Sequence, residues 1–294
     1  MATVLAVDVG GTKLAAGLVA REGVVLARAT TPTPTTDDPE AVFAALEVVV
    51  AEVRAGAGPE VEEPVACGVG CGGPMTAGGE LVSPLNIPAW RRFPLGARVA
   101  EATGLPTFVD NDAKALALAE GWRGAAAGYR HFLAMVVSTG VGGGVVVDGR
   151  LLDGALGNAG HIGHVIVEPA GRPCACGARG CLEAEASGTA IAAVTGRPAA
   201  EAGGEVVERT GRLVGRAVGS VCNLLDLPLA VIAGSVALGF GEPFFAAAQD
   251  EVDRVCRLDF SRGALVVPAG LGSSGPLTGA AGVAWEGLGV RLWA

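Results

Sequence analysis

A strand, a glycine-rich turn and a second strand occur twice in this chain, about 130 residues apart. The first copy is the apolar run Thr3 to Asp8, the turn Gly10-Gly11 and the run Leu14 to Val19. The second copy follows the run His131 to Val137 and has glycine at four of the five positions 140 to 144. Short apolar runs separated by glycine turns predict hairpins and meanders. The repetition therefore predicts two related α/β halves with a cleft between them.

The rest of the chain alternates helical and strand patterns. Apolar residues at helical spacing predict helices, and short apolar runs bounded by turn residues predict strands. The predicted helices are Pro39 to Ala55, Leu95 to Thr103, Asn111 to Arg123, Gly203 to Leu225, Pro243 to Val255 and Leu277 to Leu288. The further strands are Val24 to Thr31, Val65 to Val69, Thr107 to Val109, Gly144 to Val147, Leu229 to Ala233 and Leu265 to Pro268. We expect a small N-terminal domain of residues 1–110, joined by the C-terminal helix at about 277–294, and a large domain of residues 111–276.

Composition excludes several classes of protein. Half of the 294 residues are hydrophobic and 17% are charged, which argues against disorder. The net charge of −9 gives no basic footprint for nucleic acid. Mean hydropathy is high at +0.48, but no uncharged apolar run reaches the length of about 18 residues that spans a membrane. The N-terminus shows no signal-peptide pattern, so we expect a cytoplasmic protein without a membrane or nucleic-acid partner.

The first glycine turn follows a carboxylate, in the order Asp8-Val9-Gly10-Gly11-Thr12-Lys13. Backbone N–H groups of such a turn can hold phosphate oxygens, and the aspartate can hold Mg²⁺ through water. The segment is not a Walker P-loop, and a strand follows it where a dinucleotide-binding fold has a helix. An ordinary hairpin turn is the alternative interpretation.

The second turn is Ser138-Thr139-Gly140-Val141-Gly142-Gly143-Gly144. So many glycines weaken a strand interior but allow close approach of a ligand. Two turns of the phosphate-binding type in one chain are more specific than either alone. Together they predict a nucleotide held between the two halves.

A third motif places acidic residues where a predicted strand ends and a helix begins, at Asp110-Asn111-Asp112. A carboxylate at such an edge, near a phosphate, can act as a general base, which contributes roughly 10²–10⁴ in rate. The alternative is that Asn111 or Asp112 is only the N-cap of the helix.

One histidine and three cysteines cluster in the spacing His164-x9-Cys174-x-Cys176-x4-Cys181. This ligand set suits tetrahedral Zn²⁺ in a closed, structural site. A catalytic zinc is disfavoured because protein ligands would fill all four positions. The odd total of seven cysteines in a chain expected to be cytoplasmic also argues against disulfides.

These motifs together resemble the ROK family of bacterial sugar kinases, repressors and open reading frames, over nearly the whole chain. The resemblance is carried by Asp8 to Lys13, Asn111-Asp112, Ser138 to Gly144, Gly160-His161-Ile162-Gly163-His164, Cys174 to Glu183 and Gly234-Ser235-Val236. It implies a two-lobed α/β fold of the actin-like ATPase (ribonuclease H-like) class and a homodimer or homotetramer. It also implies an ATP-dependent kinase acting on the 6-hydroxyl of a sugar, with structural Zn²⁺ and with Mg²⁺ bound to ATP.

The resemblance assigns roles to individual residues. Asp112 would be the catalytic base and Asp8 the Mg²⁺ ligand. The ATP and phosphate contacts would be Asp8, Gly10, Gly11, Thr12, Lys13, Thr139, Gly140, Gly142, Gly234 and Ser235. The sugar contacts would be Asn86, Asn111, Asp112, His161, His164 and Glu183. The zinc ligands would be His164, Cys174, Cys176 and Cys181, with the second ring nitrogen of His164 directed to the sugar.

Two residues depart from the family pattern. His161 replaces the glutamate usual in family glucokinases, and its segment His-Ile-Gly-His resembles the subgroup of bacterial N-acetylmannosamine kinases. We therefore expect N-acetylmannosamine as the sugar, with glucose as the alternative. Lys114 stands where the family often has a small polar residue, and we expect it at the surface. A sugar-binding protein or repressor without kinase activity is the alternative of a different class, disfavoured because only seven residues precede Asp8.

Overall fold

The computed structural model describes residues 2–59 and 61–293 and divides the chain into two compact units. Unit 1 comprises residues 1–123, 153–159 and 273–294, and unit 2 comprises residues 124–152 and 160–272. The predicted boundary at residues 110 and 111 falls inside unit 1. The helix that follows this boundary remains with unit 1, and so does the short segment 153–159.

Unit 1 contains a five-stranded sheet in the order β3-β2-β1-β4-β5. Its strands are β1 (Thr3–Val9), β2 (Lys13–Ala20), β3 (Val25–Pro32), β4 (Cys67–Cys71) and β5 (Thr107–Asn111). The first three form an antiparallel meander, whereas β4 and β5 run parallel to β1. The carboxyl ends of β1, β4 and β5 therefore meet at one edge of the sheet.

The described residues of unit 1 form four α-helices: α1 (Pro39–Ala55), α2 (Leu95–Thr103), α3 (Asp112–Arg123) and α9 (Gly275–Gly287). Asp38 caps α1 by accepting a hydrogen bond from the Glu40 N–H at 2.9 Å. The C-terminal helix α9 packs on β1 and β4 and against α3. Its approach is close, because a Cβ atom on Gly68 of β4 would lie 1.9 Å from the Ala280 carbonyl oxygen.

Unit 2 contains a second five-stranded sheet in the order β10-β9-β6-β7-β8. Its strands are β6 (Phe132–Val137), β7 (Val141–Val147), β8 (Arg150–Leu151), β9 (Leu229–Ala233) and β10 (Leu265–Pro268). As in unit 1, an antiparallel hairpin, β6 with β7, joins strands that run parallel to its first member. The duplicated architecture expected from the sequence is therefore present in the two sheets.

Five helices complete unit 2: α4 (Leu182–Ala186), α5 (Gly188–Thr195), α6 (Gly204–Leu225), α7 (Ser235–Phe240) and α8 (Glu242–Val255). The long helix α6 packs against α8, and glycines at positions 211, 215 and 219 of α6 allow the close approach. Within the described ranges, no helix combines the length and apolar character needed to cross a membrane.

Some predicted elements differ in extent from those of the structure. The strand predicted at Val65 to Val69 lies at Cys67–Cys71, because pairing with β1 begins at Leu5 opposite Cys67. Asn111 ends β5 and does not begin α3, and β7 begins at Val141, so it includes most of the second glycine turn. The helices α4, α5 and α7 and the strand β8 were not predicted.

Candidate active site

The first glycine turn is positioned by the sheet of unit 1. Asp8 of β1 lies in register with Gly70 of β4, which in turn lies in register with Asp110 of β5. The turn is closed by a hydrogen bond from the Gly10 N–H to the Lys13 carbonyl oxygen at 3.0 Å. A Cβ atom on Gly11 would lie 2.6 Å from the Asn86 Cβ atom, so only glycine allows this approach. Asn86, a predicted sugar contact, therefore lies directly against the predicted phosphate turn.

Asp112 begins α3 at the same edge of the sheet, beside Asp8. An atom in the Cβ position of Gly70 would lie 3.7 Å from the Asp112 Cα and 3.9 Å from the Asp8 Oδ1. Gly70 contributes no side chain to the space between them. Burial, and to a smaller extent the negative charge of Asp112, raises the pKa of Asp8 to about 7, although Lys13 opposes the shift. The edge of the sheet thus brings together two interacting carboxylates.

The alternative role expected for Asn111 and Asp112, capping the helix, is also fulfilled. The Ala113 N–H donates to Asn111 Oδ1 at 3.0 Å and to Asp112 Oδ1 at 2.8 Å. Capping fixes the orientation of both side chains and leaves the second carboxylate oxygen of Asp112 outside these two bonds. The two interpretations of this motif are therefore compatible.

Lys114 is not at the surface, contrary to the prediction. Its side chain is 2% exposed and its Nζ lies 2.8 Å from Asp110 Oδ1 and 2.8 Å from Asp153 Oδ1. Burial alone lowers the pKa of Lys114, but the two carboxylates more than offset this effect and raise it above its ordinary value. Burial raises the pKa of Asp110, and Lys114 opposes that shift. The lysine is buried because two carboxylates compensate its charge.

The second glycine turn, in unit 2, is held by the predicted sugar contact Glu183. Its Oε2 accepts a hydrogen bond from the Val141 N–H at 2.9 Å. A Cβ atom on Gly140 would lie 2.8 Å from the same oxygen, so the glycine leaves room for the carboxylate in this position. Glu183 lies on α4, immediately after Cys181 at the N-cap and the fully buried Leu182. Glu183, a predicted sugar contact, is thus hydrogen-bonded to the predicted phosphate turn.

Further hydrogen bonds hold the carbonyl groups of this turn. The Gly188 N–H donates to the Ser138 carbonyl at 2.7 Å, and the Thr189 hydroxyl donates to the Thr139 carbonyl at 2.9 Å. The Ser138 and Ser235 hydroxyl oxygens lie 2.9 Å apart. Gly234 adopts a φ of 103°, and a Cβ atom there would lie 2.3 Å from the Val137 carbonyl oxygen. Gly234 and Ser235 therefore lie against the glycine turn.

The predicted zinc ligands form one cluster. One ligand atom from each of His164, Cys174, Cys176 and Cys181 lies within 4.8 Å of all the others. The Cys174 Sγ is 3.8 Å from His164 Nδ1, and the Cys176 Sγ is 3.7 Å from the Cys181 Sγ. Ligands at about 2.3 Å around a tetrahedral ion are separated by about 3.8 Å. The donor set and its spacing both fit Zn²⁺, with Nδ1 as the histidine ligand atom.

A buried carboxylate that the sequence analysis missed fixes this loop. Glu185 is 2% exposed, accepts from the Arg172 N–H at 2.6 Å and pairs with the Arg209 guanidinium at 2.6 Å. Burial alone would raise the pKa of Glu185, but the Arg172 N–H and the two guanidinium groups lower it below its ordinary value. Glu185 therefore stays charged and links the loop before Cys174 to α4 and α6. The only sequence signal was its position four residues after Cys181, because the helix that carries it is too short to be predicted.

His161 lies beside His164. The two rings are nearly parallel, with centroids 6.0 Å apart and an interplanar angle of 23°. His161 is exposed and precedes the short 3-10 helix Ile162–His164. The residue that departs from the family pattern thus adjoins the histidine of the metal cluster.

The predicted site residues divide between the two units. Unit 1 holds Asp8, Gly10, Gly11, Thr12, Lys13, Asn86, Asn111 and Asp112. Unit 2 holds Thr139, Gly140, Gly142, His161, His164, Cys174, Cys176, Cys181, Glu183, Gly234 and Ser235. Gly142 pairs with Val136 inside the β6–β7 hairpin, and Lys13 begins β2 with an exposed side chain.

The carboxylate pair predicts how stability varies with pH. Because the pKa of Asp8 rises from 3.8 to about 7 on folding, its contribution to stability is complete below pH 3.8 and is lost as pH rises to about 7. Asp112→Asn removes the repulsion, so the variant should lose less stability over this range. Between pH 5 and pH 8 the difference in unfolding free energy should shift by about 1 kcal/mol in favour of the variant.

Urea unfolding at the two pH values, without added magnesium, measures this shift. Asp37→Asn is the matched control, because it removes an exposed carboxylate from the same unit and should show no such shift. The same pH dependence in Asp112→Asn and the wild type would mean that Asp8 ionises independently of Asp112.

Comparisons with known proteins agree with the motifs and the fold. The ROK family profile matches residues 4–286. An N-acetylmannosamine kinase of Citrobacter koseri is 40% identical over 253 residues, covering 81% of this chain and 84% of that protein. A glucokinase of Thermotoga maritima is 42% identical over 189 residues, covering 64% and 58%. The crystal structure of a ROK hexokinase from Thermus thermophilus matches with a TM-score of 0.84 and 34% identity, covering 98% and 99%. The α/β fold is accordingly that of the actin-like ATPases, and this chain belongs to the ROK family.

Proposed function

We propose that this protein is an ATP-dependent kinase that phosphorylates the 6-hydroxyl of a sugar. The observation that carries the proposal is the pair of carboxylates Asp8 and Asp112 beside the Gly10-Gly11 turn. Phosphoryl transfer needs a base for the attacking hydroxyl and a metal to compensate phosphate charge. At this edge of the sheet, one carboxylate can act as the base and the other can hold the metal.

Asp112 is the base in this proposal. Its carboxylate accepts the proton of the sugar 6-hydroxyl, and the oxygen then attacks the γ-phosphorus in line with the departing ADP. The hydrogen bond that the Ala113 N–H donates to Asp112 Oδ1 holds Asp112 in place before the substrate arrives. Asp8 would hold the Mg²⁺ of Mg·ATP, whose charge would offset the burial and the repulsion from Asp112 that raise the pKa of Asp8.

The phosphate groups bind the backbone N–H groups of the two glycine turns, with Thr12, Lys13 and Thr139 as polar contributors. Gly234 and Ser235 contact the adenosine. The hydrogen bonds that hold Ser138 and Thr139 support this assignment, because a turn whose carbonyls are already bonded is preorganised for an anion.

Sugar hydroxyls bind Asn86, Asn111, Asp112, His161, His164 and Glu183 in this proposal. His164, Cys174, Cys176 and Cys181 would hold Zn²⁺, which would fix the loop and the tautomer of His164. Because Nδ1 faces the cysteine cluster, Nε2 would then carry the proton and could donate it to a sugar hydroxyl. The metal would organise the sugar site without entering the reaction.

The sugar we propose is N-acetylmannosamine. His161 supports this choice, because a neutral imidazole accepts one hydrogen bond where a glutamate accepts several. The relative at 40% identity is itself named an N-acetylmannosamine kinase. Glucose is the second candidate, supported by the glucokinase at 42% identity.

Steady-state ADP formation from Mg·ATP tests the kinase proposal with N-acetylmannosamine, glucose, mannose and N-acetylglucosamine. We expect N-acetylmannosamine to lead in kcat/KM by about tenfold, a difference of about 1.4 kcal/mol. Asp112→Asn should lower kcat by roughly 10²–10⁴, because it removes the base and keeps the shape of the side chain. Absence of turnover with every sugar would contradict the proposal and favour a sugar-binding protein or repressor.

His161→Glu tests the choice of sugar. The glutamate should shift the ratio of glucose to N-acetylmannosamine turnover by at least about tenfold toward glucose, because a specific polar partner can discriminate strongly. His161→Gln is the matched control, since it keeps a neutral side chain and should shift the ratio less. A ratio that is equal in the wild type and His161→Glu would remove His161 from sugar recognition.

A further inference from the structure

Lys114 forms a three-way junction inside unit 1. Besides Asp110 and Asp153, its Nζ donates to the Gly157 carbonyl oxygen at 3.4 Å. An ammonium group has three N–H donors, and these three acceptors account for all of them. The rest of α3 around Lys114 is apolar and buried, including Ala113 and Ala115.

Two of the three acceptors lie in the segment 153–159. The chain leaves unit 2 after Leu152, adds this segment to unit 1 and returns to unit 2 at Gly160. Asn158 holds the other end of the segment, because its Nδ2 donates to the Met75 carbonyl at 3.1 Å and its Oδ1 accepts from the Met75 N–H at 3.5 Å. Lys114 and Asn158 thus fix both ends of a segment that is followed directly by Gly160 and His161.

The third acceptor leads to the proposed base. Asp110 Oδ1, which pairs with Lys114, also accepts a hydrogen bond from the Asn111 N–H at 2.7 Å. Asn111 is the last residue of β5, and Asp112 follows it. Lys114 is therefore linked through the side chain of Asp110 to the turn that contains Asn111 and Asp112.

We propose that Lys114 is a positioning residue for the sugar, holding the Asn111–Asp112 turn through Asp110 and the segment 153–159 through Asp153 and Gly157. The proposal rests on the proposed kinase function, because that function assigns Asn111, Asp112 and His161 to the sugar. Lys114 touches neither substrate. It fixes two parts of the chain that carry sugar contacts, and misplacement of such contacts weakens binding and slows transfer.

A purely structural ion pair is the competing explanation, and the two make different kinetic predictions. A structural pair affects stability and leaves the Michaelis constants of the folded enzyme unchanged. A positioning residue affects the KM for the sugar, while the KM for ATP stays the same. The exposed ion pair of Arg98 with Glu40, with N–O distances of 2.8 and 2.7 Å, offers a matched comparison in the same unit.

The test measures both Michaelis constants with the sugar that the wild type phosphorylates best. Lys114→Met should raise the KM for the sugar by about tenfold or more and change the KM for ATP by less than about twofold. Asp153→Ala, at a side chain that is 73% exposed, should raise the sugar KM by about threefold. The double variant should resemble Lys114→Met alone, because both changes break the same contact.

Arg98→Met is the control and should leave both constants unchanged. If Lys114→Met does not fold, Asp153→Ala alone decides, and an unchanged sugar KM in that variant overturns the proposal. If the wild type is active and the folded Lys114→Met variant has an unchanged KM for the sugar, the positioning role of Lys114 is overturned and the kinase function stands. Absence of sugar-dependent turnover in the wild type would overturn the kinase function and the role of Lys114 together.

Discussion

The close approach of two carboxylates, the buried Asp8 and Asp112, is the constraint on which the candidate site in unit 1 depends. Two carboxylates approach each other only where the backbone forces them together, and here the parallel strands β1, β4 and β5 end at one edge. The space between them exists because the intervening strand carries Gly70. Folding therefore places an unfavourable interaction at the edge of the sheet. In our proposal Mg²⁺ would offset it, so the site would be less stable when empty, a common relation between stability and function.

In unit 2, two carboxylates have partners that compensate them: Glu183 accepts a hydrogen bond, and Glu185 forms ion pairs. Glu183 and Glu185 lie two residues apart on the short helix α4, yet they serve different partners. Glu183 accepts from the glycine turn at Val141, whereas Glu185 is enclosed by Arg172 and Arg209 beside the cysteine loop. A helix of five residues has little intrinsic stability. Its stability must come from these contacts and, in our proposal, from the metal, so that zinc, sugar contacts and phosphate turn depend on one another.

The sequence predicts local chemistry well and long-range contacts poorly. Alternating and helical patterns identified most strands and helices because each spans enough residues to show its period. The helices α4, α5 and α7 have five, eight and six residues, which is too short for that signal. The cysteine spacing predicted a metal cluster because its ligands lie within eighteen residues, and the structure brings them together. Asp153 is 39 residues from Lys114 in the sequence, so no local pattern indicates that they pair. For this reason Lys114, which is buried, was expected at the surface.

Lys114 and His161 are the two departures from the family pattern, and the segment between Asp153 and His161 relates them. Lys114 holds the start of the segment through Asp153, and His161 is a side chain that follows its end. An amide or small polar residue at position 114 could not compensate two carboxylates, so the lysine and Asp153 are linked as a charge pair. If a 2-acetamido sugar requires a different path of this segment from that suited to glucose, an added tether is the simplest means of fixing it. Specificity would then depend on His161 for the hydrogen bond and on Lys114 for the geometry that makes the bond selective.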